Sequence, residues 1–434
     1  MPRRTKPGNR KLTPTPAGRR PLVGVFVETS SAAGRQIIAG IVKYARTVGP
    51  WALHLDSREQ MFDPNWTPLW LDRWRGSGLI ARLQSQSLAA AVAATGVPVV
   101  DVLGEARASA ETDLPAGAVS SFTKHGKSAT GAGSPFPLIR PDDEAIGRLA
   151  AEHMLDRRFQ HFAIAGIRDA AWSYRRQRTF VATVQQRGCP CELLEMEPGA
   201  FGDDAWDRFV ESTAATLRRW PRPLGVMLAA DCLAPAFVQA CDRAGLSIPE
   251  DVAIIGVDAD PVICDALESP MSSIDANWSE VGFRAAATLD RLMSGALSLE
   301  SVLQASPALV APRPAVERPS TEVAAIGDAL VAAALEQIRK EACDGVQVPD
   351  IAARLAISTS ALQRRFRARV GRSVHAEILR VQLDRAMSLL RDSPLGLGEI
   401  AQRAGFKHRE YMGAVFKARL GVTPGDYRRN ARRA

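Results

Sequence analysis

Two sets of side chains in this 434-residue sequence have types and spacings that suit ligand chemistry better than packing. The first is Arg35, Trp172, Arg176, Asp231 and Asp258, each at or just beyond the end of an apolar run. Carboxylates offer paired acceptors, a guanidinium offers a fork of donors, and an indole covers apolar C–H surface. That combination holds a small polyhydroxylated molecule such as a sugar. The same residues have a plainer reading as helix caps or as salt bridges between lobes. The second set is Thr359, Ser360, Gln363, Arg364, Arg365 and Arg367, followed by Lys407, Arg409 and Glu410. Thr359, Ser360, Gln363 and Arg364, then Lys407, Arg409 and Glu410, suit base edges in a DNA major groove, whereas Arg365 or Arg367 suits phosphate. A solvated helix face is the alternative for each.

Motifs for reaction chemistry are missing from the sequence. It holds no GxxxxGK[ST], no HExxH and no G-x-S-x-G, so nothing points to an enzyme. Six scattered cysteines include only one close pair, Cys189 and Cys191, in a C-P-C spacing that does not suit zinc. His153 and His161 have no metal-like partners in sequence. The expectation is therefore no cofactor and no metal. Trp66, Trp70 and Trp74, at helical spacing, read as core or interface.

The elements that must position the first set alternate between strand and helix. Buried-strand runs occur at LVGVFVE, GLIAR, VPVVDVL, HFAIAG, LGVMLAA and VAIIGVD. Amphipathic helices intervene at 34–48, 88–94, 143–156, 175–187, 205–220, 234–244 and 278–294. This alternation predicts parallel sheets covered by helices on both faces, and a length of roughly 290 residues suits two lobes. Open parallel sheets bind ligands outside the carboxyl ends of their strands, where the first set falls. Residues 104–137 form a long Ser/Ala/Gly/Thr-rich insertion, read as a loop beside the cleft or at an interface.

The second set lies on two helix-turn-helix units joined by one helix. In VPDIAARLAISTSALQRRF, Ile351, Leu355 and Ile357 recur at helical spacing and Ser358 stands at an N-cap position. Leu362 and Phe366 would pin the second helix inside. The unit LGEIAQRAGFKHREYMGAVFKARLG repeats the plan, with Gly405 where the turn needs positive φ, Phe406 at the corner, and Tyr411, Val415 and Phe416 turned inward. The joining helix carries Ile378, Leu379, Leu383, Met387 and Leu390 on its apolar face and Arg380, Arg385 and Arg391 on its polar one. A further helix at 325–342 opens this domain.

Charge separates the regions. Residues 1–20 carry seven basic and no acidic side chains, residues 21–319 carry 28 against 35, and residues 320–434 carry 20 against 12. A basic C-terminal region suits a phosphate-bearing partner, and the acidic middle gives no reason to expect nucleic acid there. The organisation expected is a disordered basic tail (1–20), a ligand-binding domain (21–310), a proline-stiffened linker (311–322, with Pro312, Pro314 and Pro319) and a helical domain (323–434). No apolar run approaches the roughly 20 residues that span a bilayer, so no membrane partner is expected. The run after Arg19 and Arg20 is too short for an export signal, and the expected location is the cytoplasm.

The C-terminal segment resembles the DNA-binding domain of AraC/XylS transcription regulators, on IAARLAIS, the GRSVHAEILR linker, EIAQRAGF and the closing VFKARLGVTPGDYRR. It departs from that pattern at His408, where Ser is usual, at Met412, where Phe is usual, and at the mid-helix Gly413. PLIRPDDEAIGRLAAEHMLDRRFQHFAIAG and AGLSIPEDVAIIGVDADP resemble the sugar-binding domain of LacI-type repressors and periplasmic binding proteins. Together the two resemblances cover 21–429 and are similar to the xylose-operon activator branch. They imply an α/β two-lobed periplasmic-binding-protein-like domain followed by an all-α tandem helix-turn-helix domain. They also imply that Arg176, Asp231 and Asp258 contact an effector, here a pentose such as xylose. The expected partners are double-stranded DNA, a sugar effector, a second copy of the chain and RNA polymerase. A different effector, such as a polyol or sugar acid, a sugar-processing enzyme and a transport-type binding protein are the rival readings.

Overall fold

The computed structural model describes residues 20–56, 67–103, 136–197, 203–322 and 328–431. The basic tail up to residue 19, Trp66, and the insertion apart from Phe136 and Pro137 lie outside the described residues.

The first lobe contains β1 (Leu22–Phe26), α1 (Ala32–Thr47), β2 (Ala52–Asp56), β3 (Gly78–Ala81), α2 (Gln86–Ala94) and β4 (Val99–Asp101). Its sheet is parallel in the order β2-β1-β3-β4. The chain then passes through β5 (Ile139–Pro141) into α3 (Asp143–Asp156), β6 (His161–Ile167), α4 (Ala171–Gln185), β7 (Cys191–Met196), α5 (Asp203–Leu217) and β8 (Leu224–Leu228). α6 (Ala234–Ala244), β9 (Val252–Val257), α7 (Pro261–Ala266) and β10 (Ser272–Ile274) complete the second lobe. α8 (Trp278–Met293) returns to pack on α1, and α9 (Leu299–Gln304) leads to β11 (Ala308–Val310), which pairs with β5. β12 (Ala315–Val316) closes the second sheet, in the order β12-β10-β9-β8-β6-β7.

β8 and β9 are buried at every position, as strands covered on both faces require. Ile37, Val25, Ile80, Val281 and Leu289 pack lobe 1 against α8, and Phe237, Val226 and Ile254 pack the outer face of lobe 2. In each sheet the connections leave in opposite directions about the first strand of the lobe, so β1 and β6 flank the crevices where ligands sit in such sheets. Trp74 is buried and Trp70 packs beside it, as expected for core.

Residues 311–322, expected as a linker, are largely built into lobe 2. β12 pairs antiparallel with β10, and Ser320 Oγ donates to Ile254 O at 2.6 Å. Thr321 Oγ1 meets Ser272 Oγ at 2.6 Å and His153 Nε2 at 3.0 Å. Burial, with Arg157 alongside, pushes the His153 imidazole down to about 4, so it serves as a neutral partner here. Proline stiffening therefore matters less than hydrogen bonding to the sheet edge.

The helical domain comprises α10 (Ala329–Glu341), α11 (Val348–Arg354), α12 (Thr359–Val370), α13 (Val374–Asp392), α14 (Leu397–Arg403), α15 (Arg409–Leu420) and α16 (Pro424–Ala431). It has two cores, one around Ile351, Leu362 and Phe366, the other around Ile400, Met412 and Phe416. Contact with lobe 2 runs through the ion pairs Arg339–Glu250 and, at 2.6 Å, Arg380–Glu322.

Candidate functional site

In lobe 2, α4 begins a few residues after β6, and its first two turns carry Trp172 and Arg176 on one face. The Arg176 guanidinium lies 4.8 Å from the centre of the Trp172 ring. Arg176 is almost fully buried, donating from Nε to Asp143 Oδ1 at 2.9 Å and from Nη1 to Ala229 O at 2.6 Å. Asp143, the first residue of α3, also accepts from Arg140 at 3.1 Å and from Arg175 at 2.9 and 3.1 Å. Sequence reading passed over Asp143 because an acid in a first helical turn is ordinary dipole complementarity. In the structure it is 1% exposed, a burial that three nearby arginines make tolerable.

Asp258 follows β9 with φ of 111°, an uncommon conformation for a side-chain-bearing residue. Its Oδ1 accepts from Trp278 Nε1 at 2.9 Å. Burial pushes this carboxyl up, while Arg176 from lobe 2 and Arg82 from lobe 1 pull it down. Arg82 lies 5.9 Å from the Trp278 ring centre and pairs with Glu28. A crevice set thus gathers: Glu28 and Arg82 from lobe 1, Trp278 at the crossing, and Arg176, Trp172 and Asp258 from lobe 2. Glu28, Arg82 and Trp278 were missed because each sits beside a strand or helix end with no motif of its own. Forked donors, carboxylate acceptors and indole rings in one place can hold hydroxyl groups and an apolar ring face.

Two expected residues sit differently. Asp231 is turned away from the crevice, with both oxygens taken inside lobe 2: Ser273 Oγ donates at 2.8 and 3.0 Å, Asp260 N at 2.8 Å and Cys264 Sγ at 3.4 Å. Burial, and then the Asp258 charge, push its carboxyl well above the usual range. Its position right after a buried strand made it resemble a ligand, but the buried donors of β10 and of the turn after β9 claim it. Arg35 is half-exposed and donates to Thr29 O at 2.9 Å, to Ser30 O at 2.7 Å and, across the lobes, to Asp260 Oδ2 at 3.5 Å. That is the interlobe salt-bridge alternative rather than a place inside the crevice.

In the helical domain, Ser358 accepts from Ala361 N and caps α12, while Leu362 and Phe366 are buried. Ser360, Gln363, Arg364 and Arg367 are exposed on the other side and Thr359 is half-buried. Arg365 instead turns back to Asp328 Oδ2 at 3.0 Å, at the cap of α10. In the second unit, Gly405 adopts φ of 81°, and a Cβ there would lie 2.6 Å from Ala342 O. Phe406, Met412 and Phe416 are buried, and Lys407, Arg409 and Glu410 are exposed, the last two paired at 3.4 Å. Tyr411, expected inside, is 45% exposed with its ring edge-on to Phe406, because Met412 takes the inward position. One long helix ties the two units together: α13 joins them, and its buried Gln382 donates to Ala342 O at 2.8 Å and Gly405 O at 3.0 Å.

Comparison with known proteins gives two domain matches, a periplasmic binding protein-like domain over residues 151–321 and a helix-turn-helix domain over 351–430. The chain is 26% identical over 419 residues to the xylose operon regulatory protein of Escherichia coli K12, spanning 94% of this chain and 97% of that one. Its identity to the xylose operon regulatory protein of Haemophilus influenzae is 27% over 299 residues, 68% and 75% of the two chains. A solved structure described as a xylose-binding transcription activator superposes with a TM-score of 0.73 at 24% identity, covering 95% of this chain and 98% of the other. On these matches the chain is a DNA-binding transcription regulator, with a periplasmic-binding-protein-like domain ahead of a tandem helix-turn-helix domain similar to those of AraC-like regulators.

Proposed function

We propose that this regulator activates a sugar-catabolic operon in response to xylose or a related pentose bound between the lobes. The observation that carries the reading is the meeting of Arg176, Asp258, Arg82 and two indoles, Trp172 and Trp278, where the lobes face each other. It is supported by similarity over 94% of this chain to the xylose operon regulatory protein of Escherichia coli K12 and over 68% of it to that of Haemophilus influenzae. In this reading Arg176 and Asp258 hold hydroxyls, the site binds without turning over its ligand, and the protein works in the cytoplasm as a homodimer. Effector favours the closed lobes through its higher affinity for them. Because the 315–322 segment is hydrogen-bonded to lobe 2, closure carries the helical domain with that lobe and resets the spacing of the paired DNA-binding domains. Thr359, Ser360, Gln363 and Arg364, then Lys407, Arg409 and Glu410, face bases; Arg367 holds phosphate, and polymerase contact follows from the bound geometry.

The test is thermal unfolding of the full chain with D-xylose, D-ribose, L-arabinose, D-glucose, xylitol and xylonate. A ligand bound only by the folded state adds about 2.7 kcal/mol at a hundredfold excess over its dissociation constant. A pentose shift that Asp258→Ala abolishes is the expected result. A panel in which no pentose shifts the transition overturns the pentose assignment.

A further inference from the structure

The turn that presents Asp258 to the cleft is itself in a costly conformation. Asp258 and its neighbour Ala259 have φ of 111° and 52°, both in the region that side-chain-bearing residues avoid. Such a turn persists only where its surroundings fix it. Here every backbone donor of the turn is matched: Asp258 N to Ile274 O at 2.9 Å, Ala259 N to Ser273 Oγ at 2.9 Å and Asp260 N to Asp231 Oδ2 at 2.8 Å. Ser273 Oγ in turn donates to Asp231, so one buried carboxyl organises both side-chain contacts. Room for that carboxyl comes from Gly256 on β9, where a Cβ would lie 2.0 Å from Asp231 Oδ1. The next residue, Asp260, caps α7 through Val262 N at 3.0 Å and faces Arg35 of the other lobe.

We infer that Asp231 and Ser273 are positioning residues for effector binding: they hold the left-handed Asp258–Ala259 turn so that Asp258 faces the cleft and Asp260 faces lobe 1. Asp231 touches no effector. The inference rests on the proposed effector cleft for its consequence, but not for the holding contacts themselves. An amide at 231 keeps the geometry, since its oxygen accepts from Asp260 N and its NH2 donates to Ser273 Oγ. A methyl at 231 leaves the Asp260 and Ser273 donors without their acceptor.

The test measures D-xylose binding to the full chain by calorimetry, with amide exchange across residues 258–262 recorded without ligand. Asp231→Asn is expected to bind close to wild type, whereas Asp231→Ala and Ser273→Ala weaken by about tenfold or more, the loss of a buried hydrogen bond. Adding Ala259→Gly to Asp231→Ala is expected to recover up to about tenfold, because glycine adopts the turn without strain. A merely structural Asp231 gives no such rescue. Loss of D-xylose by Asp231→Asn as complete as that of Asp258→Ala, or normal binding by Ser273→Ala, overturns the inference. If the wild-type chain binds no D-xylose, the pentose reading falls, and exchange decides alone. Faster exchange of the 259 and 260 amides in Asp231→Ala than in Asp231→Asn supports the holding role, and equal exchange overturns it.

Discussion

The two helix-turn-helix units share a plan and differ in how well they are finished. In the first, Ser358 caps α12 with its side chain, the interior is closed by Leu362 and Phe366, and Gln363, Arg364 and Arg367 are exposed on a continuous helix. In the second, His408 occupies the cap without a side-chain bond, Gly413 sits in the middle of the helix, and Arg409 is paired with its neighbour Glu410. A guanidinium free to reach two acceptors on guanine gives more discrimination than one shared with a carboxylate. The difference leads to the expectation that the first unit discriminates more strongly between sequences than the second.

Arg364→Ala sharpens that contrast most. It is expected to lower affinity for a DNA fragment selected by the wild-type chain by about 1–3 kcal/mol and to relax preference at one base pair. Arg409→Ala should cost less and act more evenly across sequences. Anisotropy titrations at several salt concentrations check both; equal losses break the comparison. Next in size is Gln382→Ala, which leaves the Ala342 and Gly405 carbonyls without their shared donor. Denaturant unfolding should show about 1–3 kcal/mol lost, with the two units no longer unfolding together.

Much of this architecture was legible in the sequence, for physical reasons that also mark where reading stopped. Continuous apolar runs such as VAIIGV and periodic helices such as α6 stand out because burial on two faces or on one stripe leaves a pattern. The short strands β10 and β12 do not: Ser-Ser-Ile and Ala-Val acquire strand geometry from their neighbours alone. Arg176 and Asp258 were placed by the strand-end rule, and the structure brings them together. Asp231 obeyed the same rule and turned inward, since nothing in sequence tells a carboxyl facing a cleft from one facing Ser273 and the Asp260 amide. Tyr411, expected inside, lies outward for a similar reason, as it and the buried Met412 differ by only one step of rotation on the helix.

Gly413→Ala tests whether α15 is soft in itself. No atom within 4 Å would meet the added Cβ, so the change carries no steric cost. It should stabilise the helix by up to about 1 kcal/mol, seen as slower amide exchange along 409–420. Tighter DNA binding by this variant would mean that the second unit's weakness is conformational. Unchanged binding would place the weakness in the side chains it presents.

The smallest expected effect concerns the cap. His408 has the extended backbone of an N-cap, φ −140° and ψ 145°, yet its imidazole accepts no backbone donor from the first turn. Serine at 358, also extended with φ −73° and ψ 148°, accepts from Ala361 N, and His408→Ser should make the corresponding contact with the Tyr411 amide three residues on. The gain is about 0.5–1 kcal/mol in the stability of α15, read as protection of the 409–412 amides. A fixed first turn also fixes Arg409 and Glu410, so DNA affinity should rise by a smaller increment. If protection rises and affinity falls, the His408 ring itself is making a contact with DNA that serine cannot replace, and the second unit reads more of the site than its loose helix suggests.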